Sequence, residues 1–134
     1  MDPLLGSWAA VADSPQGRVR CKRTFTRILG GSRLQLLAQW KFGETTYEEL
    51  AVYGPGMDGV LGFWSFTSDG KQSQGTLADV RDLHPEAVGF HARMPVGLAR
   101  MAYWPEAGGG FVWVVEAKTK KGWKRFTEHH YKKA

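Results

Sequence analysis

The segment 33-RLQLLAQWKF-42 alternates apolar and polar side chains more cleanly than any other part of this 134-residue chain. Positions 34, 36, 38, 40 and 42 are all apolar, whereas the positions between them carry Arg33, Gln35, Gln39 and Lys41 with one leucine. Because successive side chains of a β-strand point to opposite faces, this period of two predicts a strand with one buried and one solvated face. The apolar set is therefore expected to face a core.

Similar short strands are predicted on both sides of this segment, each bounded by residues that favour turns. They occupy residues 7–12, 18–28, 33–42, 45–53, 60–67, 71–80, 87–93, 98–104, 111–118 and 123–132. No stretch shows a sustained helical period, and nearly every connection is short enough for a hairpin. We therefore predict an all-β fold: one closed antiparallel up-and-down barrel of about ten strands, with residues 1–134 as a single domain. Asp2 and Pro3 predict a short helical turn that plugs one end.

Composition limits the chain to one core and to few classes of protein. Apolar residues make up 43% of the sequence, including six Trp, seven Phe and four Tyr, which is ample for one domain of this size. No run approaches the roughly 20 apolar residues of a membrane-spanning helix, and the first residues lack the features of a secretory signal, so a cytoplasmic location is expected. Cys21 is the only cysteine, which excludes an internal disulfide and a cysteine-based zinc site.

The net charge of +5 is unevenly distributed along the chain. Six basic residues and no acidic residue lie between positions 18 and 33, and seven basic residues accompany Glu128 alone between positions 118 and 134. The second segment also contains Trp123, Phe126 and Tyr131, and this mixture of cations and rings is typical of proteins that bind single-stranded nucleic acid. A lysine-rich, solvated strand edge explains the same pattern, and we favour that interpretation over nucleic-acid binding.

Gly6 and Trp8 form a Gly-x-Trp motif at the start of the first predicted strand. Two further motifs are 29-LGGSRL-34 and a closing pattern that contains Gly122-Trp123, Glu128 and Tyr131-Lys132. On these motifs, almost the whole chain resembles the lipocalin-like proteins of the calycin superfamily, in particular bacterial domains of unknown function. The resemblance implies a barrel that binds a small hydrophobic or amphipathic ligand in its interior. It also implies a floor formed by Gly6 and Trp8, with a basic side chain such as Arg125 over the indole ring.

Two other members of that superfamily offer a comparison. Fatty-acid-binding proteins carry a two-helix lid between their first two strands, whereas only residues 13–17 separate those strands here. Nitrobindins are ten-stranded calycins that bind haem through a histidine late in the chain, and His129 is similar to that residue in position. A haem-binding barrel with His129 as the iron ligand is therefore the alternative that this resemblance implies.

A ten-stranded barrel is wide enough to hold a ligand, although aromatic side chains can fill the same space, and both possibilities stay open at this point. The candidate ligand contacts expected in the interior are Phe25, Trp40, Tyr47, Trp64, Arg100, Trp113 and Glu128. Arg23, Glu49, Arg100 and Glu128 are charged residues that alternate with apolar ones. A buried arginine needs a carboxylate or an anionic ligand, and an internal ion pair of Arg100 with Glu49 or Glu128 is the more common outcome. Our hypothesis for the ligand is that Arg100 contacts an acidic amphiphile.

No pattern typical of an enzyme or a metal site is present. The chain lacks a Gly-x-Ser-x-Gly elbow, a phosphate-binding loop and a dinucleotide-binding fingerprint. Its four histidines lack the spacing of a zinc site, and Cys21 alternates with Val19 and Phe25 as a packing residue does. We therefore expect a non-enzymatic protein that binds a small molecule and has no metal and no cofactor other than the haem of the alternative. A homodimer is left open.

Overall fold

The computed structural model describes residues 1–14, 17–94 and 97–134, which form a closed antiparallel β-barrel of ten strands. The strands are β1 (Gly6–Ser14), β2 (Gly17–Ile28), β3 (Arg33–Phe42), β4 (Thr45–Pro55), β5 (Leu61–Thr67), β6 (Gln72–Ala78), β7 (Val88–Met94), β8 (Gly97–Pro105), β9 (Phe111–Thr119) and β10 (Gly122–Lys133). Each strand pairs with its neighbours in the chain, and β1 pairs with β10 to close the barrel. The predicted fold class is thus confirmed. The turns predicted at residues 13–17 and 95–97 include residues 15–16 and 95–96, which lie outside the described residues.

Alternation along the strands determines which side chains face the interior. On β3, Leu34 and Leu36 are buried, whereas Leu37 beside them is exposed. On β2, Arg23 and Phe25 are both buried on the inner face, so this face includes one charged residue. Because directly paired residues of antiparallel strands share a face, the inner positions can be followed around the barrel from the pairing register.

The N-terminal helical turn expected from the sequence is present at Asp2–Leu4. Leu4 is buried, and its carbonyl oxygen accepts a hydrogen bond from Nε1 of Trp8 at 2.7 Å. Gly6 has a φ of +115°, a conformation that favours glycine because it lacks a Cβ. This turn and a second one at Leu29–Gly31 are the only helical elements among the described residues, and neither has the length or hydrophobicity to cross a membrane.

The cation that covers Trp8 is Lys133, and the role predicted for Arg125 at this point is wrong. Nζ of Lys133 lies 4.9 Å from the ring centroid of Trp8, because the β1–β10 ladder places these two residues opposite each other. Arg125 lies eight positions earlier on β10, on the outer face of the barrel. There it donates hydrogen bonds to the carboxylates of Glu116 and Glu128.

Aromatic side chains fill the half of the barrel next to the N-terminal turn. Ring centroids of Phe25 and Tyr103 lie 5.9 Å apart, and those of Tyr53 and Phe90 lie 5.4 Å apart. Most of these contacts are edge-to-face or tilted, which is the arrangement that aromatic pairs prefer. We call this group the aromatic core; it consists of Trp8, Phe25, Tyr53, Phe63, Phe90, Tyr103, Phe111 and Tyr131.

A second, smaller hydrophobic cluster lies outside the barrel wall. It is formed by Val80 and by the outward-facing side chains of Ala102, Val112 and Val114, all of which are buried. The connection between β6 and β7, residues 79–87, lies over this part of β8 and β9 and contributes Leu83 and Ala87. Burial on these two strands therefore does not by itself mean that a side chain faces the interior.

Two seams of the wall are paired over only part of their length. In the described residues, β1 and β10 pair only at Trp8↔Lys133 and Ala9↔Lys132, although β1 continues to Ser14. β6 and β7 pair over residues 75–78 and 89–92. At both seams, the backbone N–H and C=O groups beyond the paired residues have no neighbouring strand to bond to in the part of the chain that the structure describes. The barrel wall is therefore less continuous at these seams than between the other strands.

Candidate functional site

The half of the barrel away from the N-terminal turn contains a cavity of about 380 Å³ that is open to solvent at this end. The rings of Trp40, Tyr47 and Trp113 line it, together with apolar side chains from β5, β8 and β9. A second chamber of about 520 Å³ shares these three rings and extends to Ala12 and His129, on the two sides of the β1–β10 seam. The aromatic residues thus both fill one half of the barrel and line a space in the other half, and that space has the size of a small-molecule site.

Arg23 lies at the boundary between the cavity and the aromatic core. Its side chain is only 1% exposed, and its guanidinium carbon is 4.2 Å from the ring centroid of Trp113 and 5.9 Å from that of Trp40. Nη2 of Arg23 donates a hydrogen bond to the hydroxyl of Tyr103 at 2.7 Å. In the β2–β3 ladder, the residue opposite Arg23 is Ala38, whose small side chain leaves room for the guanidinium on the inner face.

Three buried N–H groups at this boundary have no acceptor among the described residues: Nε and Nη1 of Arg23 and Nε1 of Trp113. None of the ion pairs found in residues 1–14, 17–94 and 97–134 involves Arg23. A buried donor without an acceptor costs about 1–3 kcal/mol, and more when the group is charged. The boundary is therefore a cluster of donors that have no acceptor in the part of the chain that the structure describes.

The surroundings keep Arg23 charged and the nearby phenols protonated. Burial disfavours the charge of Arg23, but neighbouring tyrosine oxygens and the carboxylate of Glu49 outweigh it, so the pKa of Arg23 is raised. Burial raises the pKa of both Tyr53 and Tyr103, whose hydroxyl oxygens lie 3.3 Å apart. The boundary thus presents one permanent cation among neutral hydroxyl groups.

Glu49 brings a carboxylate to the cavity wall from β4. It lies opposite Ala38 in the β3–β4 ladder, and Ala38 lies opposite Arg23, so these three residues share the inner face of adjacent strands. Glu49 is partly buried, and its carboxylate forms no ion pair or side-chain hydrogen bond with any residue that the structure describes. Arg23 and Glu49 are therefore opposite charges on the same inner face that form no ion pair with each other. Glu49 shares the cavity wall with Lys71 and Lys118 near its rim.

His129 faces the second chamber from β10 and is 8% exposed. Its Nδ1 lies 3.2 Å from the hydroxyl of Tyr131, and its ring centroid lies 5.3 Å from that of Trp113. Burial, reinforced by the charges of Arg23 and His130, lowers the pKa of His129 to about 4. The imidazole is therefore neutral near pH 7.

Four of the seven predicted interior residues do face the interior. Trp40, Tyr47 and Trp113 line the cavity, and Phe25 belongs to the aromatic core beneath it. Their contact with a ligand remains a prediction. The structure brings Arg23 and Glu49 onto the same inner face beside the cavity. The sequence pattern did not distinguish them from the other charged residues that alternate with apolar ones.

Arg100 is buried but faces outward, so its predicted position in the interior is wrong. Its guanidinium donates hydrogen bonds to Glu116 at 2.9 Å and to Asp82 at 3.0 and 3.2 Å, and the ring of Trp123 covers it at 4.4 Å. Arg100 borders the cavity together with positions 99 and 101, but its guanidinium lies on the outer wall with its acidic partners. The prediction failed because the β6–β7 connection covers the outer face of β8. Both faces of this strand therefore carry apolar residues, and the alternation does not show which face points inward.

Trp64 and Glu128 also lie on the outer face, which corrects their predicted interior positions. On β5, positions 63 and 65 face inward, whereas Trp64 points outward with the guanidinium carbon of Arg33 5.9 Å from its ring centroid. On β10, a β-bulge between Arg125 and Thr127 shifts the register. Because the bulge adds a residue to the strand, the alternation is reversed beyond it, and Glu128 points outward.

The aromatic residues of the C-terminal hairpin do not share one surface. Tyr131 is buried in the aromatic core, and Phe126 is exposed at the bulge. Trp123 packs between Arg100, at 4.4 Å, and Lys118, at 5.1 Å, on the outer wall. The three rings therefore do not form the joint stacking surface on which the nucleic-acid alternative depends.

No family model and no curated protein matches this chain. The candidate site is therefore defined by its own geometry and chemistry, and the barrel alone does not assign a function, since unrelated functions occur on one fold.

Proposed function

We propose that the protein binds a small amphipathic molecule inside its barrel, with an acidic group at Arg23 and an apolar part against Trp40 and Trp113. The observation that carries this proposal is a cluster of three buried N–H donors, on Arg23 and Trp113, that have no acceptor among the described residues. Trp113 lines the cavity, and the guanidinium of Arg23 packs directly against its ring. A carboxylate or a similar group can accept hydrogen bonds from these donors. It also provides the counter-charge that a buried guanidinium requires.

The resemblance to lipocalin-like calycins supports the same proposal, because barrels of this kind use their interior for small ligands. The closed ten-stranded barrel is compatible with that family. The aromatic core occupies only one half of the interior, and the rest is a space lined mostly by apolar side chains with few polar groups. A combination of aromatic and apolar walls with a small number of charged groups is typical of sites that orient an amphipathic ligand.

The test measures binding of 1-anilinonaphthalene-8-sulfonate, an anionic amphiphile whose fluorescence rises in an apolar environment, by wild-type protein and two variants. Arg23→Met is expected to lower the affinity at least about tenfold, since it removes a charge-assisted contact. Arg33→Met is the matched control, because Arg33 is a partly buried arginine over Trp64 on the outer face and also has a buried N–H without an acceptor among the described residues. Equal affinity of wild type and Arg23→Met, or no binding by folded wild-type protein, would show that the proposal is wrong.

A haem-binding barrel is the second candidate, and the environment of His129 favours it. The imidazole is held neutral, and Nδ1 lies against Tyr131, so the other nitrogen remains for a metal. The chamber beside it is lined by Trp40 and Phe42, which suit an apolar macrocycle. Haem bound there would supply an iron centre for gas or electron chemistry. Titration with hemin should give a Soret band that His129→Ala abolishes; no such band with the wild-type protein excludes this candidate.

A further inference from the structure

Arg23 and Glu49 are held on one inner face of the barrel with a single alanine between them. The pairs Arg23↔Ala38 and Ala38↔Glu49 place the three residues in one row across β2, β3 and β4. Neighbouring strands lie about 4.8 Å apart, so the two charged residues start roughly 10 Å apart at the backbone. In the described residues, the side chains of Arg23 and Glu49 form no ion pair with each other within 4.0 Å. A gap between opposite charges is thus built into the site.

Each of these two groups lacks a partner that its chemistry requires. Arg23 retains two buried N–H groups without an acceptor. Glu49 is partly buried at the cavity wall, and no donor contacts its carboxylate in the part of the chain that the structure describes. A partly buried carboxylate without a donor is costly, as is a buried guanidinium without an acceptor. A ligand that satisfies only Arg23 leaves Glu49 unpaired.

We infer that the natural ligand is zwitterionic at its polar end, with an acidic group for Arg23 and an ammonium or similar donor group for Glu49. This inference rests on the proposed function, because it assigns the second polar contact of the same cavity. The apolar remainder of the ligand contacts Trp40, Trp113 and Met101, which line the same space. An amino acid with a long apolar side chain is the simplest compound of this class.

Glu49 acts as a specificity-determining residue in this scheme. For a ligand with an acidic group alone, its carboxylate is a like charge that weakens binding. For a zwitterion it is a hydrogen-bond acceptor of opposite charge. Because charges a few ångström apart in a partly buried site interact by about 1.4 kcal/mol or more, each effect corresponds to a change of roughly tenfold or more in affinity.

Two probes with the same hydrocarbon chain test the inference: decanoate and 2-aminodecanoate, measured by calorimetry on the wild-type protein. The wild-type protein is expected to prefer 2-aminodecanoate by about tenfold or more. In Glu49→Gln, which keeps the size of the side chain, that preference should disappear: the zwitterion binds more weakly and decanoate binds more tightly. Glu48→Gln is the matched control, because Glu48 is the adjacent carboxylate on the outer face, where it accepts a hydrogen bond from Gln39 at 3.2 Å. It should leave both affinities unchanged.

The outcomes separate this inference from the proposed function. If the wild-type protein binds decanoate at least as tightly as 2-aminodecanoate, and Arg23→Met weakens that binding, the cavity takes anions and the zwitterionic assignment is wrong. The assignment is also wrong if Glu49→Gln leaves the ratio of the two affinities as it is in wild type. If Arg23→Met changes neither affinity, the proposed acidic contact fails, and the zwitterionic assignment fails with it.

Discussion

Replacing Arg23 by methionine should leave the free energy of unfolding nearly unchanged, although Arg23 is among the most deeply buried side chains of the protein. The substitution removes two unpaired buried donors, which relieves about 2–6 kcal/mol. It also removes the hydrogen bond to Tyr103, worth roughly 1.5–3 kcal/mol for a charged donor. The contact with the face of Trp113 is worth about 2 kcal/mol more. These contributions nearly cancel, so we expect a change within about 2 kcal/mol in either direction.

Several features of the site support this small change. The hydroxyl of Tyr103 keeps a partner in the hydroxyl of Tyr53 at 3.3 Å. Methionine is unbranched and flexible, and its thioether packs well against aromatic rings, so it can occupy the space between Ala38 and Trp113. The variant thus loses the charge without creating a large cavity.

Arg100→Met provides the contrast, since it should cost about 3–5 kcal/mol. Arg100 pairs with Glu116, whose carboxylate is itself buried, and its removal leaves that carboxylate with only Arg125. Urea unfolding followed by tryptophan fluorescence measures both variants, provided that the slope with urea is the same as in wild type. If Arg23→Met destabilises the protein as much as Arg100→Met does, Arg23 is a structural residue, and the reasoning that assigns it to a ligand is refuted.

Three further predictions concern the seam and two buried titratable groups. The β1–β10 ladder ends at Ala9, so the later β1 amides that point toward β10 should exchange hydrogen for deuterium faster than the β1 amides that bond to β2. Equal protection of both groups of amides, measured by NMR, would contradict an unpaired β1–β10 seam. The pKa of His129 is lowered from 6.5 to about 4, so only the unfolded state takes up its proton between these values. The stability contributed by neutral His129 is therefore complete above pH 6.5, and roughly 3 kcal/mol of it is lost as the pH falls toward 4. Urea unfolding measured over this pH range should show that loss in the wild-type protein and not in His129→Gln. Burial raises the pKa of Cys21 to about 11, so its thiol should resist Ellman's reagent at pH 8 in the folded protein. The same thiol should react once urea unfolds the protein. Rapid reaction without urea would contradict the burial of Cys21.

The alternation of side chains predicted the strands well because apolar residues predominate on one face of most of them. On β3 the pattern of Leu34, Leu36 and Ala38 determines both the strand and its inner face. The turn residues then limit the connections to hairpins, and hairpins between neighbours lead to an up-and-down barrel. Fold class follows from local sequence in this protein because the topology itself is local.

Which face points inward could not be predicted where both faces are apolar or where a bulge intervenes. The outer cluster around Val80 and Ala102 exists because residues 79–87 fold back over the wall, and this contact is distant in sequence. Arg100 therefore alternates with apolar neighbours on a face that is buried but external. On β10 the bulge between Arg125 and Thr127 reverses the alternation, and no turn residue marks it.

The residue opposite each arginine in its hairpin distinguishes the structural arginine from the one assigned to the ligand. The pair Pro105↔Phe111 closes the β8–β9 hairpin, and counting back from it places Arg100 opposite Glu116. The pair Ile28↔Arg33 closes the β2–β3 hairpin, and the same count places Arg23 opposite Ala38. A buried arginine opposite a carboxylate has its counter-charge within the fold, whereas one opposite alanine must obtain it elsewhere. Cross-strand register therefore identifies Arg23 as the buried arginine that has no carboxylate directly opposite it, and its charge feels Glu49 only from one strand further away.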